Sequence, residues 1–293
     1  MEASEGRKCV WCGSPANSKE HVYPQWLRKF IGPSSYIAKH GGYQAATPRL
    51  IARTDPDGHL VEYEVARGRQ TPNLHEVQVK QVCKNCNNQW MSQLESVESL
   101  IRRLTLGPGA GLSDDEGQTL AIWAHKTFLM YDLWEEAPDR RYREADYESF
   151  YSDRKPYGDV QLYLAASHSP HANFAMWSDS CRFIPAGVDP ELYVAEHEIN
   201  CGSSYFAVDG VVIVEYWFSS GFPSEDPTGR KLKKAAHRKM KRLGMQQLWP
   251  DTEVLSRWPK RVLNDKQTEA ARLSLFNALG RLPVHARRIP PPD

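Results

Sequence analysis

The sequence predicts an α+β fold, with helices concentrated in the first half of the chain and strands in the second. Between residues 88 and 134, apolar side chains recur at three- and four-residue steps, which is the period of amphipathic helices. From residue 160 to residue 218 the pattern changes to short runs of β-branched and aromatic residues, which are typical of strands. Asp209-Gly210 between the last two runs predicts a tight hairpin. We therefore expect helices followed by an antiparallel sheet, with two more helices at 231–243 and 266–279.

The composition is that of a globular protein, with 293 residues, 41% hydrophobic and 25% charged residues, and a net charge of +1. The sequence has no apolar run of about eighteen residues, so no membrane span is expected. The first eight residues lack the apolar core of a secretory signal. These observations predict a cytoplasmic protein.

The six cysteines divide into two close pairs and two isolated residues. The pairs have the Cys-x-x-Cys spacing and consist of Cys9, Cys12, Cys83 and Cys86. Each such turn directs two sulfurs at one metal ion, and two turns complete the tetrahedral site that zinc prefers. Because cysteine fills all four positions, the zinc is expected to be structural. Cys181 and Cys201 lie in apolar surroundings and are predicted to be buried free thiols.

Two helix signals set the predicted domain boundary. A strand near 77–82 is expected to enter the second cysteine pair, and the helix that follows it ends at Gly107-Pro108-Gly109. Ser113 and Glu116 have the spacing of a capping box and begin the next helix. We therefore assign residues 1–107 to a first unit and residues 108–293 to an accessory unit.

Three polar residues lie close to the cysteine pairs in sequence. Glu20 and His21 follow the first pair, and Asn87 directly follows the second. A histidine titrates near neutrality and suits a general base, while oxygen ligands from Glu20 and Asn87 suit Mg²⁺ or Mn²⁺. A single Glu-His pair more often marks an ordinary surface or core histidine. Its position between the two zinc pairs favours the catalytic interpretation.

Across residues 9–95, the series Cys-x-x-Cys, Glu-His-Val-Tyr-Pro and Cys-x-x-Cys-Asn resembles the HNH endonucleases of the His-Me finger group. The resemblance implies a ββα unit of the treble-clef type. It also implies that His21 is the general base and that Glu20 and Asn87 bind the catalytic cation. Products with a 5′ phosphate and a 3′ hydroxyl are expected on the same ground.

The group that orients the base is left open by this resemblance. In the family an asparagine a few residues before the second cysteine pair has this role. This sequence has Gln78 at about that spacing, and its nearest asparagine is Asn73.

The C-terminal part of the chain is strongly basic. Residues 228–293 contain sixteen lysines and arginines against five acidic residues, and eight of the sixteen lie within 230–242. Such a helix can neutralise phosphates without reading the base sequence. The alternative is a solvated charged helix. The residues predicted to contact phosphate are Lys231, Lys233, Lys234, Arg238 and Lys241.

The sequence thus predicts a metal-dependent endonuclease, with DNA favoured over RNA as its substrate. Two alternatives stay open. One is a catalytically inactive zinc-knuckle protein that binds nucleic acid, and the other is a ligand-gated regulatory module in residues 108–293. A role in host defence or in mobile elements is an analogy at the level of the fold. A homo-oligomer is compatible with the sequence.

Overall fold

The computed structural model describes residues 7–30, 45–46, 49–54, 60–66, 70–71, 77–107, 109, 111–135, 140–156, 159–172, 174–185, 201–219, 227–251, 258–259, 261–272 and 287–288. Asn73 and residues 273–279 of the last predicted helix lie outside this part of the chain. No helix in the described part combines the length and apolar character that a membrane crossing requires.

The described residues form an α+β protein, as predicted. Its strands are β1 Ser18–His21, β2 Ala45–Ala46, β3 Arg49–Thr54, β4 Leu60–Ala66, β5 Gln70–Thr71, β6 Gln78–Val82, β7 Gln161–Ser167, β8 Phe174–Pro185, β9 Cys201–Val208, β10 Val211–Phe218, β11 Gln246–Trp249, β12 Val262–Leu263 and β13 Arg287–Arg288. The first helix, α1, consists of three consecutive short pieces, Lys84–Cys86, Asn87–Met91 and Ser92–Leu94. The others are α2 Val97–Thr105, α3 Asp114–Asp132, α4 Glu144–Asp153, α5 Pro227–Leu243 and α6 Asp265–Arg272, with 3₁₀ helices at Gln25–Phe30 and Pro170–Ala172.

The large sheet is mixed, which differs from the purely antiparallel sheet that was expected. Its main path has the order β11-β7-β10-β9-β8-β3-β4-β13. The pairs from β11 to β8 are antiparallel, whereas β3 lies parallel to β8. Strands β3 and β4 come from the segment between the two cysteine pairs. That segment therefore extends a sheet whose centre belongs to the second half of the chain.

Helices cover both faces of the central strands. Strands β9 and β10 are buried at every position, so each face of the sheet packs against another layer. Alternate side chains of a strand point to opposite faces. Val211, Ile213 and Trp217 belong to one hydrophobic cluster with residues of α2, α3 and α4. Val212 and Val214 belong to a second cluster with residues of α5 and α6.

The cysteine-containing N-terminal segment packs on the α2–α4 side of the sheet. Trp11, between Cys9 and Cys12, is buried, with its ring centroid 5.3 Å from Trp90 and 5.6 Å from Tyr147. Both sides of residue 107 thus contribute to one hydrophobic cluster. The boundary at this residue stays a prediction about independent folding.

Three local predictions can be compared with the structure. The capping box is confirmed: Glu116 N donates to Ser113 Oγ at 3.3 Å, and Ser113 N donates to Glu116 Oε2 at 3.0 Å. The hairpin at Asp209-Gly210 is also confirmed, with positive φ at both residues. The single helix expected over 88–104 is divided by a turn at Glu95-Ser96.

Candidate active site and metal centre

The two cysteine pairs form one cluster in the structure. They are distant in sequence, with 71 positions between Cys12 and Cys83. The sulfurs of Cys9, Cys12, Cys83 and Cys86 all lie within 4.8 Å of one another, and Cys12 Sγ is 3.7 Å from Cys83 Sγ. Zinc–sulfur bonds of about 2.3 Å in a tetrahedron place the sulfurs about 3.8 Å apart. The four side chains therefore fit a closed, structural metal site, and zinc is the cation that this donor set favours.

Backbone hydrogen bonds shape the two turns that present the sulfurs. Gly13 has φ of 70°, which closes the first turn and lets its N–H donate to Cys9 O at 2.9 Å. In the second turn, Cys86 N donates to Cys83 Sγ at 3.4 Å. Val10 N donates to Gln81 O of β6 at 2.9 Å, which fastens the first turn to the strand that leads into the second.

The thiols of the cluster have different proton affinities. Burial raises the pKa of the Cys9 thiol and of the Cys86 thiol. At Cys12 burial acts in the same direction, but hydrogen bonds, chiefly from Ser14, outweigh it and lower the pKa to about 7. Four adjacent thiolates need a cation to offset their charge, so metal binding here releases protons.

Asn87 contacts the strand that carries Glu20. Asn87 Nδ2 donates to Ser18 Oγ at 3.0 Å, and Ser18 lies two residues before Glu20 on β1. Asn87 follows the last cysteine directly, and its backbone N donates to Cys83 O at 3.1 Å. The cysteine turn thus sets the position of Asn87 against β1.

An ion pair between the buried Lys126 and the half-buried Glu95 lies next to the Glu20 carboxylate. Burial raises the pKa of Glu20; the Lys126 ammonium opposes this change and the Glu95 carboxylate reinforces it. Glu95 itself accepts from Lys126 Nζ at 2.8 Å and from Trp26 Nε1 at 2.7 Å. Trp26, Glu95 and Lys126 were not predicted. A lysine in the middle of the apolar helix α3 was the one available signal, because a buried lysine needs a partner.

His21 is paired with Gln78 across the hairpin formed by β1 and β6. The two residues are register partners, and Gln78 Nε2 lies 2.8 Å from His21 Nε2. Gln78, which the sequence places at about the spacing of the family's orienting asparagine, therefore contacts His21. The amide also determines the tautomer of the ring. Its nitrogen donates to Nε2 and leaves the proton on Nδ1, whereas its oxygen, turned toward the ring, would accept from Nε2–H.

The exposed part of this hairpin carries two lysines. Glu20 pairs with Val79 and Ser18 with Val82, so Lys19 alone faces both Lys80 and Gln81. Lys19 and Lys80 are exposed. Two like charges on opposite strands destabilise a hairpin unless an anion lies between or near them.

The basic helix α5 lies on the other side of the sheet from the cysteine cluster. Leu232, Ala236 and Met240 pack on the sheet as part of the second hydrophobic cluster. Among the residues predicted to contact phosphate, Lys231, Lys234, Arg238 and Lys241 are exposed. Lys233 differs, because it is half-buried and forms an ion pair with Asp159.

A second cluster of ionisable groups is buried between α3 and β10. Glu215 accepts from Tyr142 Oη at 2.6 Å and lies 2.6 Å from His125 Nδ1. Arg141 Nε donates to Asp132 Oδ1 at 3.1 Å, within the same layer. All five side chains are buried. Their partners fit a role in holding the helices on the sheet.

Comparison with known proteins gives no relative for this chain. No protein-family model, no curated protein and no solved structure matches it. Any function proposed for the site is therefore inferred from its geometry and from the sequence motifs.

Proposed function

We propose that this protein is a metal-dependent nuclease of the type that its cysteine, histidine and asparagine motifs resemble. The observation that carries the proposal is the contact of Asn87 with Ser18, which places its amide against the strand of Glu20 directly beside the cysteine cluster. Glu20 and Asn87 are 67 positions apart in sequence, and each is placed by a different strand or helix of one small unit. Two antiparallel strands followed by a helix are the arrangement that the resemblance implies.

In this proposal His21 is the general base that takes a proton from the attacking water. A base needs one ring nitrogen without a proton, and Gln78 controls which nitrogen that is. With the amide oxygen of Gln78 turned toward Nε2–H, the neutral ring carries no proton on Nδ1, and that nitrogen is the basic one. Gln78 then has the orienting role that an asparagine has in the family.

Glu20 and Asn87 are the residues that would hold the catalytic Mg²⁺ or Mn²⁺. A carboxylate and an amide oxygen are suitable ligands for such hard cations. When bound, the cation would offset negative charge on the scissile phosphate and on the leaving oxygen. Burial raises the pKa of Glu20, and the Lys126 ammonium partly offsets this change in favour of the ionised form, which is the form that binds a cation.

The substrate proposed for this site is a nucleic acid, with DNA favoured over RNA. The support is the pair of exposed lysines, Lys19 and Lys80, on the same hairpin as His21. Lysines at this position can contact backbone phosphates and hold the strand near the base.

The direct test is a cleavage assay with supercoiled plasmid, single-stranded DNA and RNA, in Mg²⁺, Mn²⁺ or EDTA. The protein should cut in either cation and not in EDTA. His21→Ala should lower the rate about 10²- to 10⁴-fold, which is the usual loss when a general base is removed. The matched control is His168→Ala, since His168 is an exposed histidine far from the cysteine cluster in sequence.

Two results would contradict the proposal. One is equal cleavage by wild type and His21→Ala. The other is the lack of cleavage of all three substrates by folded, zinc-loaded wild type, which would favour the inactive nucleic-acid-binding alternative.

A further inference from the structure

A cavity lies between helix α5 and the edge of the large sheet. Its volume is ≈ 730 Å³, within the range of about 300–1,000 Å³ that is common for small-molecule sites. One wall is α5 and the others are the start of β7, the strand β11 and the residues that follow it. The candidate active site belongs to the opposite side of the sheet, so this cavity is a separate feature.

The wall formed by α5 is positively charged. It consists of Arg230, Lys233, Lys234, His237 and Arg238. The whole lining holds four lysines and arginines against two aspartates, Asp159 and Asp251. Asp159 pairs with Lys233, whereas Lys234 and Arg238 form no ion pair with any residue in the described part of the chain. The cavity therefore has an excess of positive charge that an anion would balance.

The lining of the cavity includes a largely buried amide with an unused acceptor. Gln161 is only 8% exposed, and its Oε1 has no hydrogen-bond partner among the described residues. A buried polar atom without a partner costs about 1–3 kcal/mol. Gln161 lines the cavity, so a ligand with an N–H donor would satisfy this atom once the amide turns toward the cavity. This observation is independent of the charge on α5.

His237 is held in a fixed orientation in the same wall. Tyr163 Oη lies 2.8 Å from His237 Nδ1, and the Tyr163 side chain is fully buried. Burial and the nearby Lys241 lower the pKa of His237, which favours the neutral ring. With the tyrosine hydroxyl donating to Nδ1, the proton of the neutral ring is on Nε2, which makes that nitrogen a donor.

From the cations on one wall and the unsatisfied amide below them, we propose that this cavity binds a small phosphorylated ligand of nucleotide size. The phosphate lies against Lys234 and Arg238, and an N–H group of the ligand donates to Gln161 Oε1. This site is a second binding function, independent of the proposed nuclease chemistry. It also gives a different role to part of the basic helix that the sequence had assigned to nucleic-acid contact.

A long nucleic acid fits these observations less well than a free nucleotide does. The unsatisfied acceptor is buried inside a concave site, where a duplex backbone would not reach it. The site also faces away from the Glu20–Asn87 pair, so a duplex on α5 would not extend directly to the candidate catalytic residues. If α5 instead binds a duplex, the duplex would lie on the outer surface of the helix, which includes Lys231.

The test is calorimetric titration of the full-length protein with AMP, GMP, CMP and UMP, each in parallel with inorganic phosphate and a single-stranded oligonucleotide. At least one mononucleotide should bind more tightly than phosphate. Lys234→Gln and Gln161→Leu should each weaken that binding about tenfold, the effect expected for the loss of one charge-assisted or buried hydrogen bond. Lys231→Gln is the matched control, because Lys231 is an exposed lysine of the same helix that does not line the cavity.

The possible outcomes distinguish a free mononucleotide from the backbone of a nucleic acid as the bound phosphate. Binding of a mononucleotide that Lys231→Gln leaves unchanged and Lys234→Gln weakens would support the cavity. Binding of the oligonucleotide alone, weakened equally by Lys231→Gln and Lys234→Gln, would overturn it in favour of a nucleic-acid surface. Absence of binding by every mononucleotide would also overturn it. Because no arm measures cleavage, failure here leaves the nuclease proposal intact, and failure of that proposal leaves this one intact.

Discussion

The cysteine-containing unit and the centre of the large sheet hold polar side chains in place in opposite ways. In the cysteine unit, the half-buried Glu20 and His21 lie on a two-stranded hairpin, next to four sulfurs that can share one ion. In the sheet, Glu215 and Arg141 are buried and held by several neighbours. The first region is therefore expected to depend on a bound zinc ion for its geometry, whereas the second depends on packing. The candidate catalytic residues thus lie in the cysteine-containing unit, which packing alone would stabilise less than the sheet.

The largest expected effect comes from breaking the metal site. Cys83→Ser removes one of the four sulfur ligands and should abolish zinc binding. The effect on folding should be large, because a structural zinc contributes on the order of 10 kcal/mol to the folding of a small domain. Zinc content by atomic absorption should fall from one ion per chain to none, and the near-ultraviolet circular dichroism of Trp11 and Trp90 should weaken. Cys181→Ser, which alters a buried cysteine outside the cluster, is the control and should keep its zinc. Full zinc content in Cys83→Ser would contradict the four-cysteine site.

A smaller but still large effect is expected at the buried charges. Arg141→Met leaves the Asp132 carboxylate without its cation in the interior, which typically costs about 3–5 kcal/mol. Urea denaturation followed by circular dichroism gives this difference in the free energy of unfolding. Arg102→Met removes the exposed pair with Glu98 and should cost about 0.5 kcal/mol. Equal losses in the two variants would show that Arg141 is not held by a buried network.

The smallest effect on stability is expected at Gln78, where the effect on activity should be larger. Gln78→Leu removes an exposed side chain, so the free energy of unfolding should change by less than about 0.5 kcal/mol. If Gln78 orients His21, the cleavage rate should fall about tenfold, which corresponds to about 1.4 kcal/mol. Gln93→Leu, at an exposed position of α1, is the control for both measurements. An unchanged rate in Gln78→Leu would leave the base without an orienting group on this strand.

The features that the sequence predicted correctly are those set by spacing within a few residues. Two Cys-x-x-Cys turns determine their own ligand geometry, and the contact of Asn87 with the strand of Glu20 follows once both turns share one site. The capping box at Ser113 and the hairpin at Asp209-Gly210 are likewise local. Each of these arrangements is stabilised by contacts that neighbouring residues make with one another.

The features that could not be predicted from the sequence depend on contacts between distant segments. Nothing near Arg49 in sequence indicates that β3 runs parallel to β8, about 130 residues further along the chain. The pairing of Glu95 with Lys126 required knowing that α3 passes beside the turn after α1. The side of the sheet on which α5 lies is a long-range property of the same kind. For this reason the sequence could show a basic helix but not a cavity beneath it.

The position of Asn87 directly after Cys86 has a consequence for how the protein would become active. The same helical turn that supplies the last sulfur also places the amide that donates to Ser18 Oγ, on the strand of Glu20. In the proposed nuclease, zinc is therefore expected to bind at the four cysteines before Glu20 and Asn87 can hold a catalytic cation. A cell that withholds zinc would then produce this protein in a dormant form, however much magnesium it contains.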